Sequence, residues 1–259
     1  MKFADAHIHL SDEEYDDQVE EIVADAHNAN VAALVSNSMD FATSSRSLKL
    51  AEQSPHMVYA ACGIHPWNVQ TLTEQELQRT MRLIRDQRTN ESLIAIGEIC
   101  LDVKYMNIWD KQMNVFTNML HLAEELDLPV IIHSRGTTDH IVDMLPSFRL
   151  KKVLLHWFSR PMSALVKTVD NGYFITEGPP AVYSPGIREV ITKVPLTNLL
   201  TETDGPVRYF KAPFDGKRTT PAFIPQVVRA IAELKKLDEN DVGTQIRENF
   251  EGFFGVSLN

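Results

Sequence analysis

Cysteine is scarce: Cys62 and Cys100 are the only two in 259 residues, with no partner at zinc-ribbon or redox spacing. That argues against a disulfide-stapled secreted scaffold and makes a reducing cytoplasm the expected compartment. Positive charge is also short, since 25 Lys and Arg face 35 Asp and Glu for a net charge of -10. A field of that sign repels polyanions, so a passive nucleic-acid coat protein is disfavoured, and contact with nucleic acid would need a local basic rim or bound cations. No run of about 18 apolar residues occurs, and no basic stretch followed by an apolar one opens the chain, so neither a membrane span nor a leader is expected. The stretch "HIHLSDEEY" has no glycine to let a backbone approach a phosphate, which argues against a doubly wound dinucleotide fold.

What is present is alternation. Eight short β-rich runs recur, "KFADAHIHL", "VAALVSN", "MVYAACGIHP", "SLIAIGEI", "LPVIIHS", "KKVLLHW", "GYFIT" and "TNLLTET". Between them lie segments such as "DDQVEEIVADAHNAN" and "WDKQMNVFTNMLHLAEELD", where apolar residues return at three- and four-residue spacing. With no linker or low-complexity segment, the pattern predicts an α/β fold, a (β/α)8 TIM barrel forming a single domain over residues 1–259. Near the end, "YFKAPFDGKRTTPAFIP" reads as a long loop after the eighth strand and a candidate lid, before helices at "PQVVRAIAELKKL" and "ENDVGTQIRENFEGFFG".

In such a barrel the carboxyl ends of the strands form one mouth, and polar residues gather there. His7 and His9 close the first run, His65 the third, Glu98 the fourth, His133 the fifth, His156 the sixth, and Glu202 with Asp204 the eighth. Strand alternation predicts that Asp5, His7 and His9 share one face, with Asp5 one step deeper as an acceptor fixing the rings. One histidine on an apolar run is ordinarily a packed core residue. Four of these histidines and two of these acids, delivered to one rim from five strands, are satisfied together by divalent cations, whereas burial without such a partner would be costly. His27, His56, His121 and His140 lie outside the strand-end pattern, and Cys62 and Cys100 read as small core residues.

These residues fall in six ordered motifs, "DAHIHL", "GIHPW", "AIGEICLD", "LPVIIHSR", "LLHWFS" and "LLTETDGP". Over essentially its full length the chain resembles the TatD-type metal-dependent hydrolases, relatives of the amidohydrolase barrels. The resemblance implies that His7 and His9 bind one metal, His133 and His156 a second, that Glu98 bridges them and that Asp204 joins the first. It further implies that His65, Arg135 and Glu202 line the substrate pocket, and that the activity is that of a magnesium-dependent deoxyribonuclease, some members being exonucleases. Cys100, Trp157 and Arg160 depart from the family pattern, and "RTTP" at 218–221 lacks the acid of the usual Arg-Asn-Glu-Pro.

The function expected is therefore hydrolysis of phosphodiester bonds in DNA, with Asp204 and Glu98 as catalytic carboxylates and two divalent ions as cofactors. Imidazole ligation favours zinc, manganese or nickel while magnesium prefers oxygen, so the identity of the ions, Mg, Mn or Zn, stays open. An amidohydrolase-type deacylase or lactonase, and a non-catalytic metal-dependent binding protein, are the alternatives. Lys104, Arg135, Arg160, Arg208, Lys211, Lys217 and Arg218 are candidates for a basic rim, and Phe210 and Phe214 for stacking on bases. No membrane and no obligate protein partner are indicated.

Overall fold

Runs rich in Val, Ile, Leu and Ala suit a pleated surface covered on both faces. In the computed structural model, which describes residues 1–258, they form β1 (Phe3–Ile8), β2 (Val31–Asn37), β3 (Val58–Cys62), β4 (Leu93–Cys100), β5 (Val130–His133), β6 (Val153–Leu155), β7 (Phe174–Glu177) and β8 (Leu199–Thr201). The helices between them are α1 (Val19–Asn28), α2 (Phe41–Gln53), the single turn α3 (Pro66–Val69), α4 (Glu74–Asp86), α5 (Trp109–Leu126), α6 (Thr138–Met144), α7 (Met162–Asp170) and α8 (Pro185–Lys193). After β8 come α9 (Ile224–Lys235) and α10 (Glu239–Phe254). Capping boxes start α2, through Asp40 and Thr43, and α4, through Thr73 and Glu76.

Neighbouring strands pair in chain order from β1 to β8, always parallel, as the alternation predicts. The seam between β8 and β1 is bridged by individual hydrogen bonds. Asp204 N donates to His7 O at 2.8 Å, His9 N to Gly205 O at 2.7 Å, and Thr201 Oγ1 to Ala4 O at 2.9 Å. The inner core holds Ala4, Ala6, Val35, Ala61, Ile131, Leu154 and Leu200 together with Phe250, Phe253 and Phe254 of α10. Because Asn249 donates to Leu199 O at 2.8 Å and Phe253 packs on Phe174, α10 closes the end where the strands begin.

The loop after β8 is not the free flap its composition implied. Tyr209 and Phe214 are buried, Tyr209 Oη donates to Thr203 O at 2.8 Å, and Phe214 packs on Phe223 at 4.8 Å. Phe214 is therefore a core anchor with no face to offer a base, while Phe210, 78% exposed, stays in solvent.

Candidate metal centre

Two β-bulges aim the site. In β1, Asp5 pairs with Leu34 and Ile8 with Ser36, so three steps match two on the neighbouring strand. In β4, Ile96 pairs with Val130 and Ile99 with Ile132, the same mismatch. A bulge reverses which face the next side chain takes. Ala4 and Ala6 thus face the inner core, Ile8 and Leu10 the helices, and His7 and His9 the mouth. Ile96 and Ile99 both face the helices, leaving Glu98 between them to turn inward.

The bulge corrects the expectation for Asp5. It lies off the face of His7 and His9 and reaches neither ring. Its Oδ1 accepts from His7 N at 3.2 Å and Thr203 N at 3.0 Å, and Oδ2 bonds the Thr203 hydroxyl, so it clasps β1 to the end of β8. Burial raises its pKa to about 8.

Glu98 lies at the centre with its oxygens divided. Oε2 is 3.5 Å from His7 Nε2 and 3.2 Å from His9 Nε2. Asp204 Oδ1 completes that set at 3.4 Å from His7 Nε2 and 3.6 Å from His9 Nε2. Oε1 is 3.1 Å from His133 Nδ1 and 2.9 Å from His156 Nε2, and those nitrogens are 3.1 Å apart. The rings of His7 and His156, one from each set, stack at 3.8 Å.

The donor spacing fits cations. Ligands 2.0–2.2 Å from a tetrahedral ion lie about 3.3–3.6 Å apart, and an octahedral one brings neighbours to about 3.0 Å. The first set matches the former spacing and the second the latter. The electrostatics agree: burial opposes charge on His9, yet Asp204 and Glu98 lift its pKa to about 10, holding a proton where a cation would sit. Burial alone would raise the Glu98 carboxyl, but His65, His156 and His133 hold it well below the ordinary glutamate range. Asp204 is held low in the same way, by His9 above all, against its burial.

The far nitrogens of three of the rings face oxygens of the fold. His9 Nδ1 is 3.1 Å from Asn37 O, His156 Nδ1 is 3.4 Å from Glu202 Oε2, and His133 Nε2 is 3.5 Å from Asp102 Oδ2. His65 Nδ1 accepts from Trp67 N at 3.2 Å, which leaves its proton on Nε2, 3.5 Å from Glu98 Oε1, while burial lowers its pKa to about 3. Glu202, expected to line the substrate pocket, instead stands behind His156, where the Thr176 hydroxyl also bonds it. Asp102 and Asn37 escaped the sequence reading, although Asp102 ends "AIGEICLD" and Asn37 ends the second apolar run.

Above the centre opens a cavity of about 700 Å³ that His65 and Arg135 reach as expected. Met39, Trp67, Trp157, Pro206 and Val207 give it apolar walls, and Asp12, Glu14 and Arg208 stand at its edge. The basic rim is thinner than the sequence implied. Of its seven candidates only Arg135 and Arg208 line the cavity, and Arg208 is 3.6 Å from Glu14. Arg218 is tied to Gln18 and to Glu21 at 3.0 Å, while Lys104 and Lys211 lie over the rings of Tyr105 and Tyr183. A second cavity, about 1030 Å³ at the α10 end, gathers none of the metal-ligating clusters.

Residues 4–255 match the family described as TatD related DNase. The chain belongs to this family. It is 31% identical to the uncharacterized metal-dependent hydrolase YabD of Bacillus subtilis (strain 168), covering 98% of this chain and 99% of that protein. It is 28% identical to the human deoxyribonuclease TATDN3, over 92% of this chain and 89% of the relative. The crystal structure of the TatD homolog YjjV from Escherichia coli K12 superposes with a TM-score of 0.90, at 28% identity and 98% coverage of both chains. For this TatD-family chain, the family resemblance of the six motifs and the barrel are thus one finding reached twice.

Proposed function

We propose that this chain is a deoxyribonuclease, hydrolysing phosphodiester bonds with two divalent cations held at the barrel mouth. The observation that carries the reading is the division of Glu98, one oxygen to His7 and His9 and the other to His133 and His156. His7, His9, Glu98 and Asp204 would hold one ion, and Glu98, His133 and His156 the other. Bound there, such a pair supplies Lewis acidity and a lowered pKa for water. The chain's own groups do the rest. Asp204, kept ionised by His9, accepts the proton of the attacking water. His65, neutral with its proton on Nε2, donates a hydrogen bond to a phosphoryl oxygen, and Arg135 offsets its charge. DNA as substrate accords with the name of the human relative.

The reading treats residues 1–259 as a single hydrolase domain and places it in the cytoplasm, in keeping with two free, buried thiols. Among the described residues no helix is long and apolar enough to cross a membrane. A deacylase or lactonase remains the second reading, because apolar walls and the acids Asp12 and Glu14 also suit a small neutral ester. One assay separates them. Protein loaded with Mg, Mn or Zn is offered single- and double-stranded DNA, a phosphodiester dye, and a panel of amides and lactones. We expect cleavage of DNA and dye, lost in Glu98→Ala with the circular dichroism spectrum unchanged, and two ions per chain by elemental analysis. Turnover confined to the amides or lactones refutes the nuclease.

A further inference from the structure

We infer that Trp67 is a nucleobase platform, a stacking subsite for the base of the nucleotide whose phosphate meets the metal centre; this rests on the nuclease reading. Trp67 is 54% exposed although it lines the catalytic cavity, an unusual place to leave an indole in water. Its neighbours Pro66 and Val69, not the indole, supply the buried contacts of α3. Its backbone is nonetheless fixed. Trp67 N donates to His65 Nδ1 at 3.2 Å, and the Asn68 amide donates to Met39 O at 3.2 Å and Asp40 Oδ2 at 3.0 Å. An aromatic face held by its backbone loses little freedom when something settles on it, which is what makes a platform effective.

Its position selects the ligand. The indole meets the His65 ring edge to face at 4.9 Å, and the far nitrogen of that ring is 3.5 Å from the bridging Glu98 carboxylate. A planar group on Trp67 is therefore one imidazole away from the reacting phosphate, the relation a base has to the phosphate of its own nucleotide. The cavity's shortage of free positive charge strengthens the case. With Arg208 facing Glu14, a substrate gains little from phosphate contacts beyond the reacting phosphate that the cations and Arg135 would meet, and must draw further affinity from a neutral surface. Stacking meets that need without reading sequence, because every base has a π-face.

The experiment compares two single-stranded oligonucleotides cleaved by the metal-loaded enzyme, one with all its bases and one made abasic at every position. Wild type should favour the base-bearing strand in kcat/KM by about 5- to 150-fold, the range expected from stacking of one base. Trp67→Ala should abolish that preference and Trp67→Phe should keep most of it. Equal cleavage of both strands by wild type, or a preference that survives in Trp67→Ala, overturns the platform while leaving the nuclease intact. If neither strand is cut and a lactone or amide is, the nuclease reading itself has failed and the subsite with it.

Discussion

A histidine presents one nitrogen to a cation and is aimed by whatever holds the other, so the residues behind the ring set its affinity. Asp102 and Glu202 stand behind His133 and His156 as ion-pair partners at 3.5 Å and 3.4 Å, without an aligned hydrogen bond, and His7 Nδ1 likewise has no hydrogen-bond partner. Asp102→Asn should weaken binding of the second ion by about 10- to 100-fold in a chelator competition, with the first ion retained; equal loss of both ions would mean that Asp102 supports the whole mouth. Glu177 shows the opposite use of a carboxyl. Thr176 points inward to Glu202, so alternation turns Glu177 away from the mouth, where it is fully buried with neither oxygen bonded. Burial, reinforced by Glu202, pushes its pKa well above 4.5. The folded protein keeps a proton that the unfolded chain releases, so this group's stabilisation is complete below 4.5 and is lost as pH rises above it toward the folded pKa. Glu177→Gln lacks that loss. Its Tm relative to wild type should climb as pH rises above 4.5 in calorimetry, and a pH-independent difference would contradict the assignment.

The elements that matter most are the bulged strands, and one glycine shows how tightly they are set. A Cβ at Gly63, just past β3, would lie 2.6 Å from Glu98 O and 2.7 Å from Gly97 C, both backbone atoms that cannot swing aside. Gly63→Ala should cost about 1–3 kcal/mol in denaturant unfolding, as overpacking does. Because the displaced atoms belong to the bulge that aims Glu98, activity should fall further than stability; full turnover in a destabilised variant would dissociate the two. The bulges also mark where the sequence stopped being legible. All eight strands were readable, since each is a short apolar run between polar turns, and so was the gathering of His7, His9, Glu98, His133, His156 and Asp204 at one mouth, since an imidazole or acid ending an apolar run is conspicuous. A strict two-residue alternation put Asp5 with His7 and His9, because an inserted residue leaves no trace in composition. Composition likewise made a lid of the loop holding Tyr209 and Phe214, whose aromatics are in fact its anchors. Asp102 and Glu202 were misplaced or missed for a different reason: which carboxylate faces the cavity and which stands behind a ring depends on the three-dimensional register.

At the scale of the whole molecule the charge balance sets how a polyanion is held. The net charge is -10, and of the seven basic residues that might have edged the mouth only Arg135 and Arg208 line it, the second facing Glu14. Single-stranded nucleic acid loses affinity with salt at about 0.7 in log K per log unit for each phosphate neutralised by the protein. Two arginines therefore allow a slope no steeper than about −1.4, and the Glu14 contact brings it nearer −0.7. With divalent ion held constant, binding of a labelled single strand measured by anisotropy across a potassium chloride series should show that shallow dependence, flattened further in Arg135→Ala. A slope steeper than about −3 would require a continuous basic track elsewhere on the surface. A shallow slope instead describes an enzyme that engages about one nucleotide at a time, through cations, one arginine and an aromatic face, and tolerates a negative surface because the rest of the strand never lies down on it.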